Sequence, residues 1–201
     1  RLFQISAGVI VKSRPMQVVL NGLGADPETL LISPSGADPL LFHGAKPASA
    51  SPRFLAVGRL VAKKGPLQTL EAFARMLDSL PESLQQDVSL DIVGDGPLRR
   101  DLERAVKQRG LVEQVALLGA LPQRQIVERM RLARGFVQHS LVAPDGDSEG
   151  NPVAVMEAQL CGLPVVATRH AGIPEVVLEE ETGLLVDEGD VDGMAAAMLR
   201  L

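Results

Sequence analysis

The chain has 201 residues, 46% hydrophobic and 22% charged, with 20 Lys and Arg against 25 Asp and Glu for a formal net charge of −5. That length suits one full α/β domain with part of another, or one large single domain, and an acidic balance argues against nucleic-acid binding. The single cysteine, Cys161, excludes a disulfide framework and a Cys-rich zinc site, and five Phe without Trp or Tyr leave no stacking platform.

No apolar run approaches the ~20 residues of a membrane helix. The opening Arg1-Leu2-Phe3-Gln4-Ile5 has no signal-peptide layout and no initiator Met, and the chain reads as a fragment of a cytoplasmic protein. Ala7–Arg14 and Leu30–Ser33 are expected as strands, with Gln17–Leu23 as a helix between them. The small, proline-containing run His43–Pro52 reads as a linker that divides residues 1–45 from residues 46–201.

From Arg53 onward, short β-branched runs alternate with amphipathic segments. The expected strands are Phe54–Val57, Val88–Val93, Val115–Leu118, Gly135–Gln138, Pro164–Thr168 and Gly183–Val186. Between them, stripes such as Leu67, Leu70, Phe73, Ala74 and Leu77, or Leu98, Leu102 and Val106, recur at helical spacing. A last helical stretch runs from Val191 to Leu201. This alternation predicts an α/β fold, a Rossmann-like parallel sheet with helices on both faces.

In such a sheet, ligands bind beyond the carboxyl ends of the strands. After the first expected strand of this body comes Gly58-Arg59-Leu60-Val61-Ala62-Lys63-Lys64-Gly65-Pro66. Its glycines permit close backbone approach, and Arg59 and Lys64 are cations suited to a phosphate or diphosphate; the alternative is a solvated basic loop. Gly94-Asp95-Gly96-Pro97 reads as a tight turn, because Arg99 stands where a third dinucleotide-fingerprint glycine would be. No complete fingerprint follows any strand, which argues against a dinucleotide-dependent dehydrogenase.

The segment Ser148-Glu149-Gly150-Asn151-Pro152-Val153 through Glu157 carries a helix-start pattern. Asn151 is expected as the N-cap, with Pro152 at the first helical position and free amides turned toward an anion. Glu149 stands before the helix. Glu157 lies within its apolar run and needs a partner there, either a ligand hydroxyl or neighbouring backbone. Two carboxylates around an anion-binding helix start suggest hydroxyl groups beside phosphate, hence a nucleotide sugar. His43 is expected to be exposed, while His139 and His170 are either structural or close to the sugar. None has zinc-site spacing, and no metal or cofactor is expected. Cys161 reads as a core residue and Glu179–Glu181 as a solvated turn.

Gly58-Arg59-Leu60-Val61 with Lys64-Gly65, then Ile92 to Leu98, resembles the donor domain of family 4 glycosyltransferases. Glu149 to Glu157 is similar to that family's E-x7-E signature, and Leu160 to Glu175 and Gly183-Leu184-Leu185-Val186 follow in the family's order. The resemblance covers Arg53 to Leu201. It implies the carboxy-terminal, nucleotide-sugar-binding half of a GT-B enzyme over residues 46–201. Residues 1–45 would then be the tail of the acceptor domain and the start of the linker. The implied reaction is transfer of a sugar, with retention and without a metal, from a UDP-, GDP- or ADP-linked donor to a glycan or lipid-linked acceptor. Peripheral membrane association of the full protein would accompany such an acceptor.

By the family pattern, Arg59 and Lys64 would neutralise the diphosphate and Glu149 would touch the transferred sugar. Gly58 would approach the donor, and the Gly150, Asn151, Pro152 and Val153 stretch would offer backbone to sugar and phosphate. Glu157 would hold the ribose, and the base would rest near Leu121. Most of the acceptor domain is missing from this sequence, so the isolated chain is not expected to turn over. A nucleotide-sugar-binding module and a GT-B sugar-nucleotide epimerase are the alternatives.

Overall fold

The structure, a computed structural model, describes residues 2–201. A one-turn helix, α1 (Leu2–Ile5), precedes β1 (Val9–Val11), α2 (Arg14–Gly22) and β2 (Leu30–Ile32). The two strands pair in parallel, Val9 opposite Leu30, and form a sheet of their own over a small core of Val11, Ala25 and Leu30. The strand expected over Ala7–Arg14 stops at Val11 because Ser13 caps α2. Its backbone is extended (φ −159°, ψ 163°), and its Oγ accepts the Met16 N–H. Pro15 fits the first turn, where no partner for an N–H is needed, so the helix starts at Arg14 rather than Gln17.

Residues 34–52 carry no strand and only a single 3₁₀ turn, Pro47–Ser49. Phe42 nevertheless lies buried in a core that belongs to the rest of the chain. That body contains β3 (Arg53–Val57), α3 (Pro66–Asp78), α4 (Glu82–Gln85), β4 (Ser89–Val93), α5 (Arg99–Gln108) and β5 (Val115–Gly119). It continues with α6 (Gln123–Leu132), β6 (Gly135–Gln138), α7 (Val153–Cys161), β7 (Val165–Thr168), β8 (Gly183–Val186) and α8 (Val191–Leu199). All six strands are parallel, in the order β5-β4-β3-β6-β7-β8.

Strand side chains alternate between faces, and the two cores show it residue by residue. Phe54, Val137 and Val166 enter one core with Leu70 and Phe73 of α3, Leu102 of α5 and Met194 and Met198 of α8. Leu55, Phe136, Val165 and Ala167 enter the other, with Val127 and Met130 of α6 and Val155 and Ala158 of α7. The parallel sheet with helices on both faces is thus the observed architecture.

The order of strands explains the two faces. Strands are added outward from β3 to β5, then the chain returns to the other side of β3 for β6. Crossovers are right-handed as a rule, so reversing the direction of addition moves the helices to the opposite face. Asp91, buried in β4, marks one seam: Arg129 of α6 reaches its carboxylate at 2.9 Å, with Arg53 behind at 3.7 Å. Among the described residues no helix is long and apolar enough to cross a membrane.

Candidate functional site

A parallel sheet whose order reverses between two adjacent strands opens a crevice at their carboxyl ends. Here those strands are β3 and β6, and the loops after them carry most of the residues singled out above. A narrow cleft there is lined by Gly58, Arg59, Lys64, Thr69 and Gln138. A larger, apolar cleft opens at the opposite end of the sheet, between Phe54, Met76, Leu84 and Met198, away from every one of these residues.

The loop after β3 is shaped by backbone. The Gly58 N–H donates to Val93 O and the Leu60 N–H to Asp95 O, while Leu60 O accepts from Leu98 N–H. The loop after β4 therefore lies flat against it. A Cβ on Gly94 would fall 1.8 Å from Gly58 O, and one on Gly96 would fall 2.6 Å from Leu60 O. This close fit is what the Gly94-Asp95-Gly96 turn is for. Gly65 (φ +52°) lies equally close to His139 O, so its approach is to protein backbone, whereas Gly58 leaves ordinary space in front of it. Pro66 opens α3, as its fixed φ favours.

The structure brings Lys64 and Glu149 together across 85 residues of sequence: Nζ lies 3.0 Å from Oε2, and both side chains are largely buried. The other carboxylate oxygen of Glu149 is buried and has no hydrogen-bond partner. Arg59 is exposed, with no ion-pair partner among the described residues. Lys63, which the sequence did not distinguish from its neighbours, ties the same two loops from outside. Its Nζ lies 2.9 Å from Asp147 Oδ1 and 3.2 Å from Ser148 O. The hydrogen bond from Lys63 is the main reason the Asp147 carboxyl is held below its ordinary range.

At the start of α7 the structure corrects one expectation. Pro152, not Asn151, occupies the N-cap position (φ −73°, ψ 112°), and Val153 is the first helical residue. The helix begins one residue later than the pattern suggests, which leaves Asn151 one position before the cap. No side chain caps this helix end. The Asn151 amide is buried, and both its Oδ1 and Nδ2 lack partners. Buried polar atoms without partners are rare enough in folded proteins to call for an explanation. Pro152 offers no amide, so only Gly150, Asn151 and Val153 of this stretch can donate. The segment before α2 forms the facing wall: a Cβ on Gly150 would lie 3.5 Å from Lys12 Cβ, and the Arg14 N–H donates to Glu175 Oε1 at 2.8 Å.

Glu157 lies just over one turn into α7, with the side chain of Gln123, the first residue of α6, beside its carboxyl. Burial holds its carboxyl above its ordinary value, with the Gln123 bond opposing. Leu121, just before α6, packs on the core that α7 shares, so Glu157 and the Leu121 loop lie on the same side of the site.

The histidines divide. His43 is exposed. His139 is fully buried, its backbone N–H donates to Thr69 Oγ1, and its Nε2 accepts the Gly189 N–H at 2.9 Å. Burial lowers its affinity for a proton, against the pull of Asp190 and Glu188. Its Nδ1 is buried and has no hydrogen-bond partner. His170 is also buried, and bonds to Glu188, Ser148 and Glu149. Among the described residues no group of three or more His, Cys, Asp or Glu side chains is arranged to hold a metal ion. Cys161 is buried in the α7 core, where desolvation pushes its thiol up.

Residues 42–201 match the family described as glycosyl transferases group 1. The chain belongs to this family. One relative, the amylovoran biosynthesis glycosyltransferase AmsK of Erwinia amylovora, is 37% identical over 203 residues, covering 100% of this chain and 49% of AmsK. Another is the GDP-mannose-dependent alpha-(1-6)-phosphatidylinositol monomannoside mannosyltransferase of Mycolicibacterium smegmatis. It is 33% identical over 148 residues, which are 73% of this chain and 37% of the relative. The chain thus spans about half, or less, of the length of these glycosyltransferases. Among solved structures, Anabaena HepE in complex with UDP and glucose matches with a TM-score of 0.80 at 22% identity. That match covers 98% of this chain and 54% of HepE. The shared architecture is the GT-B glycosyltransferase fold.

Proposed function

We propose that this chain forms the nucleotide-sugar donor site of a retaining, family 4 type glycosyltransferase, with Glu149 and Glu157 as the two carboxylates of its E-x7-E motif. The reading rests on one observation above the others. Lys64 and Glu149, from motifs 85 residues apart, meet at the switch point of the sheet, and one Glu149 oxygen there is left without a partner.

The chemistry follows from the charges. As the bond between sugar and diphosphate breaks, negative charge grows on the diphosphate. Lys64 and Arg59, already in position, stabilise it without reorganising, and the uncapped amides of α7 add their dipole. These cations serve in place of a divalent metal, so the reading needs none. The acceptor hydroxyl, from a glycan or a lipid-linked sugar, then bonds to the same anomeric carbon from the face the diphosphate leaves, and its proton passes to the departing diphosphate oxygen. Glu149 holds hydroxyls of the transferred sugar. Glu157, desolvated beside Gln123, accepts the ribose hydroxyls, and the base rests on backbone near Leu121. In support of a polysaccharide or glycolipid product, AmsK acts in amylovoran biosynthesis and the mannosyltransferase acts on a phosphatidylinositol mannoside.

Calorimetric titration with UDP, GDP and ADP, with and without magnesium, tests this. One nucleotide is expected to bind without magnesium. Glu157→Ala should weaken it roughly 10- to 100-fold, the worth of a hydrogen bond to a charged group. Unchanged affinity in Glu157→Ala removes the ribose assignment, and binding of none of the three overturns the donor site.

A further inference from the structure

His170 follows β7, is 2% exposed, and has both ring nitrogens engaged. Nε2 lies 3.1 Å from the backbone nitrogen of Glu149 and 3.0 Å from Ser148 Oγ; Nδ1 lies 2.5 Å from Glu188 Oε1. A peptide N–H can only donate, so Nε2 is the acceptor and the ring proton sits on Nδ1, given to Glu188. The other Glu188 oxygen accepts the Val142 N–H at 3.0 Å. Parallel pairing of β7 with β8 sets Thr168 opposite Val186, which brings the residues two places beyond each, His170 and Glu188, side by side. A single carboxylate thus orients the imidazole and pins the start of the loop whose far end carries Glu149.

This loop is held by scattered bonds and not by a ladder: the Leu141 N–H donates to Lys63 O, and the Ala143 N–H to Asp147 O. Residues 141–152 contain no helix or strand, and the Lys64 bond grips Glu149 only at its side chain. Lys63 holds Ser148 O at 3.2 Å and the Gly172 N–H holds Gly150 O at 3.1 Å, and the N–H of Glu149 itself is taken by His170. We infer that His170, in the tautomer imposed by Glu188, is a positioning residue that aims the Glu149 carboxylate at the transferred sugar. The inference rests on the reading of Glu149 given above, and the two can fail separately.

The test uses side chains of different reach. In His170→Gln the Oε1 can stand where Nε2 stood and still accept the Glu149 N–H. In His170→Asn the shorter amide reaches only the place of Nδ1. Amide hydrogen exchange of the ligand-free chain should show Glu149 protected in the wild type, exchanging about tenfold faster in His170→Asn, and recovering in His170→Gln. Amides of Leu90 and Val166, inside the sheet, report whether each variant remains folded.

UDP-glucose and GDP-mannose, each titrated beside its free nucleoside diphosphate, supply the second readout. His170→Asn should lower nucleotide-sugar affinity about tenfold with the diphosphate unaffected, and His170→Gln should restore it. Equal Glu149 exchange in wild type and His170→Asn overturns the inference. So does a freed amide with nucleotide-sugar affinity intact. If exchange behaves as expected while the wild type binds neither nucleotide sugar, the donor reading fails instead, since exchange needs no ligand.

Discussion

The two sheets of this molecule obey the same rules and end in different conditions. In the six-stranded body every helix of nine residues or more has a buried face: α3 alone buries Leu70, Phe73, Met76 and Leu77. The helix α2 beside the two-stranded sheet is as amphipathic by pattern, yet it contains no buried residue, and Val18, Val19 and Leu23 stand in the open. An apolar stripe tells that a face exists; only a partner makes it a core. The first region supplies its own partners on both sides of the sheet, and the second buries Val11, Ala25 and Leu30 with Phe3, Val9, Leu20 and Ile32 only partly covered against them.

That contrast can be broken at several points. The largest effect is expected for Phe73→Ala. Phe73 is fully buried and packs edge-on against Phe54 at 6.5 Å, so its loss should cost about 3–5 kcal/mol of the main unfolding transition in a denaturant melt. Ser13→Ala removes the cap of α2 and should cost about 1 kcal/mol, read as faster proteolysis of residues 2–33 with the main transition unmoved. A shared loss of the main transition would mean that the two regions fold as one unit.

A smaller effect depends on pH. Burial holds the Glu157 carboxyl above its ordinary 4.5, so as pH rises past that value the unfolded chain ionises first and the folded state loses stability. Glu157→Gln should therefore raise the melting temperature near neutral pH and leave it unchanged below pH 4.5. Equal shifts at both would refute the buried-charge account. Last, Val18→Asp on the bare face of α2 should change stability by less than about 0.5 kcal/mol. A drop of several degrees in its melt would reveal a partner for that face.

Legibility in the sequence followed the same division. Strands such as Gly135–Gln138 and Gly183–Val186 were readable to the residue, because burial on both faces demands an unbroken apolar run bounded by polar or glycine positions. The start of α2 was readable in principle from Ser13-Arg14-Pro15, but the apolar run Ala7–Val11 before it pulled the strand too far. Asn151-Pro152 has the pattern of a cap, but α7 begins at Val153, so the proline takes the cap position and the asparagine stands outside it.

The site was legible as loops, not as contacts. Arg59, Lys64, Glu149 and Glu157 could be picked out one by one, while the Lys64–Glu149 pair needs the reversal of strand order to bring it together. The bond between His170 and Glu188 depends on the register of two strands, which no local pattern encodes. Gln123 as the partner of Glu157 depends on how α6 crosses α7.

The fit of Gly94 against Gly58 has a consequence for engineering. The crossing is made of main chain only: carbonyls and amides of one loop bonded to those of the next, with no side chain as a spacer. The frame of the cation-bearing loop is therefore indifferent to what its outward side chains are. The bracket would hold whatever side chain stands at position 59, so the charge of Arg59 is kept for the diphosphate and not for the fold. An insertion of even one residue between Gly58 and Leu60, or between Gly94 and Gly96, would unseat both loops together. A library aimed at new donors should keep the length of these two turns and the glycines at 94 and 96, and vary only side chains that do not enter the crossing.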